Sequence, residues 1–375
     1  MERVTLRGMT WDHRRAIDPL VETLPQFAER HPGITIEWSS RPLHGFEFTP
    51  VSELAKQHDF IVLDHPFCGD IADGRYLVPV EDIAGAPSDY AGVSLETYRY
   101  DGHVWALPID AACQVAVSRP DLMESLGRST PANWMELLDL GRAAKQRGLQ
   151  LAIGLKGVHS LMTFFTLCAN LGHPCSTERS LPLVHTDTAR EALSLMRELL
   201  SYCAPQSLDW NSIALHDVMV SRDDLVFCPA VYCYATYAEA DQRRRLRFHD
   251  FPGPRGAAGS TIGGTGLGIS AHCRHPEAAL AYGRFVVEAG TQFAFAHNHG
   301  QPARAEVWDD IGINARFGGC YRDTRRTIDA CWIRPRYKGY LDFQAKAGPL
   351  IEEHLRGGMS EGGLLDEIGR LHGSA

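Results

Sequence analysis

Within the first hundred residues, short apolar runs suited to strands alternate with amphipathic stretches suited to helices, and this alternation restricts the fold more than any single motif. Residues 4–9 read as a buried strand and 18–30 as a helix. Residues 34–38 read as a second strand, with Ile34, Ile36 and Trp38 on one face, and 60–63 as a third. His31-Pro32-Gly33 separates the helix from the strand after it. Strand, helix, strand in that order favours parallel pairing through right-handed crossovers, hence an α/β fold on doubly wound sheets. A chain of 375 residues outgrows one hydrophobic core. Two lobes are therefore expected, each a mostly parallel sheet flanked by helices, with a cleft between them.

After the turn Asp101-Gly102, residues 105–110 read as a strand interrupted by Pro108, which suits a central ladder poorly. Residues 107–112 are taken as the first crossing between lobes. A second set follows: strand 113–117, helix 134–147, strand 151–154, helices 159–171, 188–202 and 212–221, and strand 225–228. The Gly- and Pro-rich stretch 251–256, followed by 259–268, is the strongest linker signal in the chain. It is expected to return the backbone to the first lobe, where 267–271 forms a strand and 276–288 a helix. Helices near 324–332 and 340–355 close the fold. The division predicted is 1–108 with 255–310 for lobe 1, and 109–254 with 311–375 for lobe 2, hinged at 107–112 and 251–260.

Charge narrows the partners. A formal net charge of −9 and a pI near 6.0 argue against nucleic acid and anionic membrane surfaces, both of which need basic patches. The clusters Arg243-Arg244-Arg245 and Arg325-Arg326 read as solvated helix faces. No stretch approaches the roughly 18 apolar residues that span a bilayer, so no membrane insertion is expected. Residues 1–6 run straight into a strand pattern without a basic, then apolar, then small-residue export signal. The sequence as it stands reads as cytoplasmic, or as periplasmic if a signal was removed. Ten cysteines, at 68, 113, 168, 175, 203, 228, 233, 273, 320 and 331, show no CxxC or Cys/His ligand spacing, which fits a reducing compartment.

Four segments together resemble the extracellular solute-binding proteins of ABC sugar transporters, the maltose-binding-protein-like group. They are His31-Pro32-Gly33-Ile34, Tyr100-Asp101-Gly102-His103-Val104-Trp105-Ala106-Leu107-Pro108, the strand entry Gly263-Gly264-Thr265-Gly266-Leu267-Gly268-Ile269-Ser270, and Pro276-Glu277-Ala278-Ala279. The resemblance covers most of the chain by order and spacing. It implies a two-lobed type II periplasmic-binding-protein fold that traps a small polar ligand, a sugar, sugar acid or small carboxylate, by hinge closure, with an ABC permease as partner if the protein is exported. No cofactor is implied.

In open α/β sheets ligands sit outside the carboxyl ends of strands. Trp11-Asp12-His13 follows the first strand and Asp64-His65 the third, offering acceptors for hydroxyls and titratable imidazoles. The competing reading makes each Asp a helix cap. His13 and His65 with one carboxylate would also match a metal triad, although their spacing does not call for one. Asp110 and Cys113 lie at the first crossing. Thiaminase I, an enzyme on this type of fold, is similar in placing a nucleophilic cysteine after its crossover strand. That likeness implies Cys113 as a candidate nucleophile with Glu239 or His65 as base, against the alternative of an inert buried thiol. Tyr232 and Tyr234 follow a strand of the second lobe and could stack on a ligand or pack as core. Gly264 and Thr265 are read as a hinge loop offering backbone contacts, Gln301 as a cleft-loop residue, and Arg334 and Arg336 as carboxylate-binding guanidiniums. A non-catalytic binder is the leading reading. The alternative is a cytoplasmic lyase, isomerase or decarboxylase on the same scaffold, with His13, His65 and their aspartates as acid and base.

Overall fold

The computed structural model describes residues 3–42, 49–239 and 242–374. The chain divides into two compact units. Unit 1 comprises the chain through Ala111, Gly263–Ile313 and Arg336–Gly339, and unit 2 comprises Ala112–Ile262, Asn314–Pro335 and the chain from Tyr340.

In unit 1, β1 (Val4–Trp11) pairs parallel with both β2 (Ile34–Arg41) and β3 (Phe60–Leu63). The four residues of β3 are all buried, so this strand is covered on both faces. A small hairpin, β4 (Arg99–Tyr100) with β5 (His103–Val104), turns at Asp101-Gly102, where both residues have positive φ. The helix read over 18–30 is two helices, Arg14–Glu22 and Leu24–Arg30. Pro25 near the start of the second has no N–H to continue the first, and Thr23 at the junction donates its hydroxyl to Pro19 O at 2.7 Å.

β6 (Leu107–Ser118) is one twelve-residue strand, buried throughout, rather than two pieces interrupted at Pro108. Proline is tolerated here because it stands second, before the ladder needs its missing donor. The unit boundary Ala111/Ala112 falls inside this strand. The second boundary falls at Ile262/Gly263, not within 251–260. The Gly/Pro stretch is packed into unit 2 instead: Asn170 Nδ2 donates to Gly256 O at 2.9 Å and Ala258 O at 2.8 Å, and Ser260 Oγ to Gln114 O at 2.6 Å. Gly263 to Gly266, read as a loop, belong to β10 (Ile262–Ile269), which pairs antiparallel with β3. Gly264 has φ +96°, and a Cβ there would lie 2.4 Å from Asp110 O. Glycine is what lets this backbone run so close to β6. Arg336–Gly339 returns to unit 1 because Lys338 Nζ meets Asp73 at 2.8 Å and Gly339 N donates to Asp70 at 3.1 Å.

In unit 2, β8 (Leu225–Tyr232) and β9 (Arg247–His249) pair antiparallel with β6, and β7 (Gln150–Leu151) pairs parallel with β8. Helix Val158–Asn170 is buried almost all round. Burial of Leu161, Phe164 and Phe165 stabilises the unit by about 1.5–3 kcal/mol each. Helix Tyr340–Leu355 approaches it closely at Gly348, whose carbonyl accepts from Ser160 Oγ at 2.7 Å. Several helices escape the sequence reading, among them Cys68–Gly74, Pro120–Leu126, Ala289–His297 and Glu361–Ser374. Arg243 to Arg245 lie outside any helix; Arg244 donates to Ser221 O at 2.7 Å and Arg245 to Arg316 O at 2.7 Å. Among the described residues, no helix is long and apolar enough to cross a membrane.

Candidate functional site

Four of the residues singled out by sequence, Trp11, Asp110, Thr265 and Gln301, converge on one narrow pocket of unit 1, together with Arg15, Phe295 and Gly300. The polar centre is Asp110. Arg15 holds it in a fork, Nε to Oδ2 at 2.7 Å and Nη2 to Oδ1 at 2.5 Å, with both side chains nearly inaccessible. The backbone N–H of Thr265 also donates to the carboxylate. Burial raises the Asp110 carboxyl above its ordinary range, while the Arg15 guanidinium pulls it down and Asp64 pushes it further up. Gln301 fixes β6 from the side, donating Nε2 to Ala111 O at 2.8 Å and accepting from Ala111 N at 3.0 Å on its backbone carbonyl. The Thr265 hydroxyl is buried and has no hydrogen-bond partner among the described residues.

Arg15 escaped the sequence reading. It stands in the first turn of helix Arg14–Glu22 and finds its carboxylate 95 residues away. No local pattern distinguishes it from Arg14, which is exposed.

The two Asp-His pairs take different places. Asp12 is exposed, and His13 is the helix cap, its Nδ1 accepting from Arg15 N at 3.1 Å. Burial, then the charges of Arg15 and Arg14, lower the His13 pKa to about 4, so it is neutral near pH 7. Asp64 caps the short 3-10 helix His65–Phe67 by accepting His65 N at 2.8 Å, and His65 is fully buried. Among the described residues no three His, Cys, Asp or Glu side chains group closely enough to hold a metal ion, so His13 and His65 do not build that triad.

Arg336 is occupied by the fold of unit 1. Its Nη1 donates to the carbonyls of Glu96, Thr97 and Arg99 at 2.8, 2.7 and 2.8 Å, closing the end of helix Ser94–Tyr98, and its guanidinium lies over Tyr100. Arg334, two residues earlier, belongs to unit 2.

In unit 2, Arg334 is buried and donates to Gln344 Oε1 at 2.9 Å. Beside it, His159 has its pKa lowered to about 4, first by burial and then by the Arg334 charge, and it meets Tyr232 edge-on at 6.4 Å. Tyr232 ends β8 rather than following it, and is half-buried. Tyr234 is buried against His216 at 5.7 Å, a packing role. Cys113 sits inside β6, 1% exposed. Burial, with Cys331 and Cys233 beside it, raises its thiol well above the ordinary value. A nucleophilic cysteine is favoured by the opposite, a partly exposed site that stabilises thiolate, whereas the Cys113 thiol is buried. Glu239, its proposed base, is buried near Arg316 at 3.9 Å, and His65 lies in unit 1.

The model of the bacterial extracellular solute-binding protein family matches residues 22–310. Among solved structures, the maltose-bound MalE3 of T. maritima is 17% identical with a TM-score of 0.83, covering 98% of this chain and 99% of that one. The GacH receptor of Streptomyces glaucescens, solved unliganded and with acarbose, is 16% identical with a TM-score of 0.83 over 99% and 97%. An ABC transporter solute-binding protein of Agrobacterium radiobacter in complex with ribitol is 17% identical with a TM-score of 0.78 over 100% and 99%. The fold is thus that of the maltose-binding-protein-like, type II binding proteins.

Proposed function

We propose, from the premise that this chain belongs to the bacterial extracellular solute-binding proteins, that it binds a neutral polyhydroxylated molecule, a sugar or sugar alcohol, and delivers it to an ABC permease. The observation that carries the ligand class is the lining of the unit 1 pocket, whose free volume of about 10 Å³ has room for roughly one water, so the lining must part to admit a ligand. An apolar wall of Trp11 and Phe295 stands beside a buried hydroxyl, Thr265 Oγ1, that has no partner among the described residues. Rings that cover a sugar face and a few placed polar groups that take its hydroxyls are the usual composition of such a site. The charge of Asp110 is already matched by Arg15, so the pocket offers no surplus charge for a carboxylate and suits a neutral ligand. Ligands of the structural relatives, maltose and ribitol, are of this class. Asp12 and His13, at the carboxyl end of β1, are proposed to take further ligand hydroxyls. Hinge motion at Ala111/Ala112 and Ile262/Gly263 is proposed to accompany binding.

Calorimetric titration with maltose, ribitol, mannitol and a sugar acid tests the reading. Saturable binding of at least one neutral compound is expected, and Thr265→Val should weaken it by about 1 kcal/mol, roughly fivefold. No binding across the neutral panel, or binding of the sugar acid alone, rejects it.

A further inference from the structure

The most unusual cluster outside that pocket is a file of cysteines in unit 2. Cys113 and Cys331 interact, Cys113 and Cys233 are neighbours, and the sulfurs of Cys233 and Cys320 touch at 3.4 Å. Cys233 follows β8 directly, and Cys320 opens the short helix Cys320–Asp323. Both are buried, at 3% and 1% exposure. Their backbones are held in place: Cys233 N donates to Cys113 O at 3.2 Å, Cys320 N to Phe317 O at 3.1 Å, and Cys320 O accepts from Thr324 Oγ1 at 2.8 Å. Sulfurs in contact at 3.4 Å lie about 1.4 Å beyond the ~2.05 Å of a disulfide, a gap of the size that side-chain rotation closes.

We propose that Cys233 and Cys320 are a disulfide-forming pair that staples the segment Asn314–Pro335 to the body of unit 2. The chain enters this segment from unit 1 at Ile313 and returns to unit 1 at Arg336. Non-covalent contacts alone hold it to unit 2, and it carries Arg334. The two cysteines are 87 residues apart, so the cross-link removes much unfolded-chain freedom. The chemistry is thiol–disulfide exchange with a small-molecule disulfide such as oxidised glutathione. One protein thiolate attacks it, forming a mixed disulfide and releasing one small thiol. The second protein thiolate then displaces the other small thiol, so two protein thiols are oxidised, one small disulfide is reduced, and both protons leave on the released thiols. Burial of both sulfurs confines the exchange to folding or to local opening of the segment.

The test refolds the full chain from denaturant in oxidised and reduced glutathione, blocks remaining thiols, and maps cross-linked peptides by mass spectrometry. A Cys233–Cys320 peptide is expected as the main product. The oxidised protein should melt several degrees above the same protein kept in reductant, and this gap should close in Cys320→Ala. Cys233 and Cys320 both remaining open to alkylation after oxidative refolding overturns the proposal. So does a dominant cross-link at Cys113–Cys331 or Cys168–Cys175 with Cys233 and Cys320 still alkylated. The peptide map on unaltered protein decides the matter even if the alanine variant fails to fold.

Discussion

β1 and β3 are paired neighbours, and each is followed by an Asp-His dipeptide that the fold uses in opposite ways. After β1, which ends at Trp11, the helix starts at Arg14, so His13 is the cap and Asp12 is left exposed. After β3, which ends at Leu63, the 3-10 helix starts at His65 itself; Asp64 is the cap and His65 goes to the interior, edge-on to Tyr98 at 6.4 Å. A one-residue difference between strand end and helix start exchanges the roles, because the cap must present its acceptor to the first turn's N–H groups and its neighbour then points elsewhere. Residue identity alone does not set the function of such a pair. Its distance from the helix does.

The largest break in this comparison comes from the ion pair, which ties down only the β1 side. Arg15→Met leaves the Asp110 carboxylate buried with its main partner gone, a change worth about 3–5 kcal/mol of stability. Urea denaturation should show that loss, and Arg15→Met combined with Asp110→Leu should recover most of it. A single variant costing under about 1 kcal/mol would mean that water or rearrangement replaces the guanidinium, contrary to a pocket organised by this pair.

Next in size is the contrast between the histidines. His65→Ala empties a fully buried site and should cost about 2–3 kcal/mol, at the upper end of ordinary substitutions. His13→Ala removes a half-buried cap and should cost about 1 kcal/mol. Equal losses, measured by the same denaturation, would erase the distinction between the two strand ends.

These assignments show how far sequence pattern reaches. The strand at 60–63 and the helices at 212–221 and 340–355 were readable to the residue, since a fully apolar run or a long periodic one leaves little choice. The α/β order, the two-unit plan and the family resemblance followed from such segments. Helix Glu361–Ser374 was hidden by its glycines, which lower helix propensity although packing compensates. Of the four residues that converge, only Trp11 was read from a strand end; Asp110, Thr265 and Gln301 were read as crossing, hinge and loop residues, and Asp110 and Thr265 lie inside β6 and β10. Arg15 was not read at all, because pairing across 95 residues leaves no local trace, and Arg334 and Arg336, adjacent to one proline, go to different units through contacts that only the fold creates.

Acid should act on the β1 side through His13. Its folded pKa of about 4 lies below the ordinary 6.5, so the unfolded chain binds the proton more readily between those values. The stability contributed by neutral His13 is complete above pH 6.5 and is lost as pH falls toward 4. His159 and His249, also lowered to about 4 mainly by burial, act in the same direction. Comparing denaturation at pH 7.5 and 4.5, His13→Ser should lose less stability on acidification than the unaltered protein, with His58, His159, His249 and His372, all lowered chiefly by burial, contributing to the remainder. An unchanged difference would show that His13 keeps its ordinary titration in the folded state.

The smallest effect on stability, and the most informative one for binding, separates the two aspartates. Asp12 is exposed and caps nothing, so Asp12→Ala should change unfolding free energy by no more than about 0.5 kcal/mol. Asp64→Ala removes the acceptor of His65 N and the carboxylate 2.9 Å from the His65 ring, and should cost about 1 kcal/mol as a lost cap. Affinity should rank them the other way. If Asp12 accepts a ligand hydroxyl at the carboxyl end of β1, its removal weakens binding by about 1 kcal/mol while the ligand-free melting temperature holds, whereas Asp64→Ala lowers that temperature and leaves the binding enthalpy nearly intact. Calorimetry on both variants, with the ligand found for the unaltered protein, reads the two rankings together. Affinity lost at Asp64 and unchanged at Asp12 would move the ligand from the β1 end to the β3 end, and the cap would then be a binding residue as well.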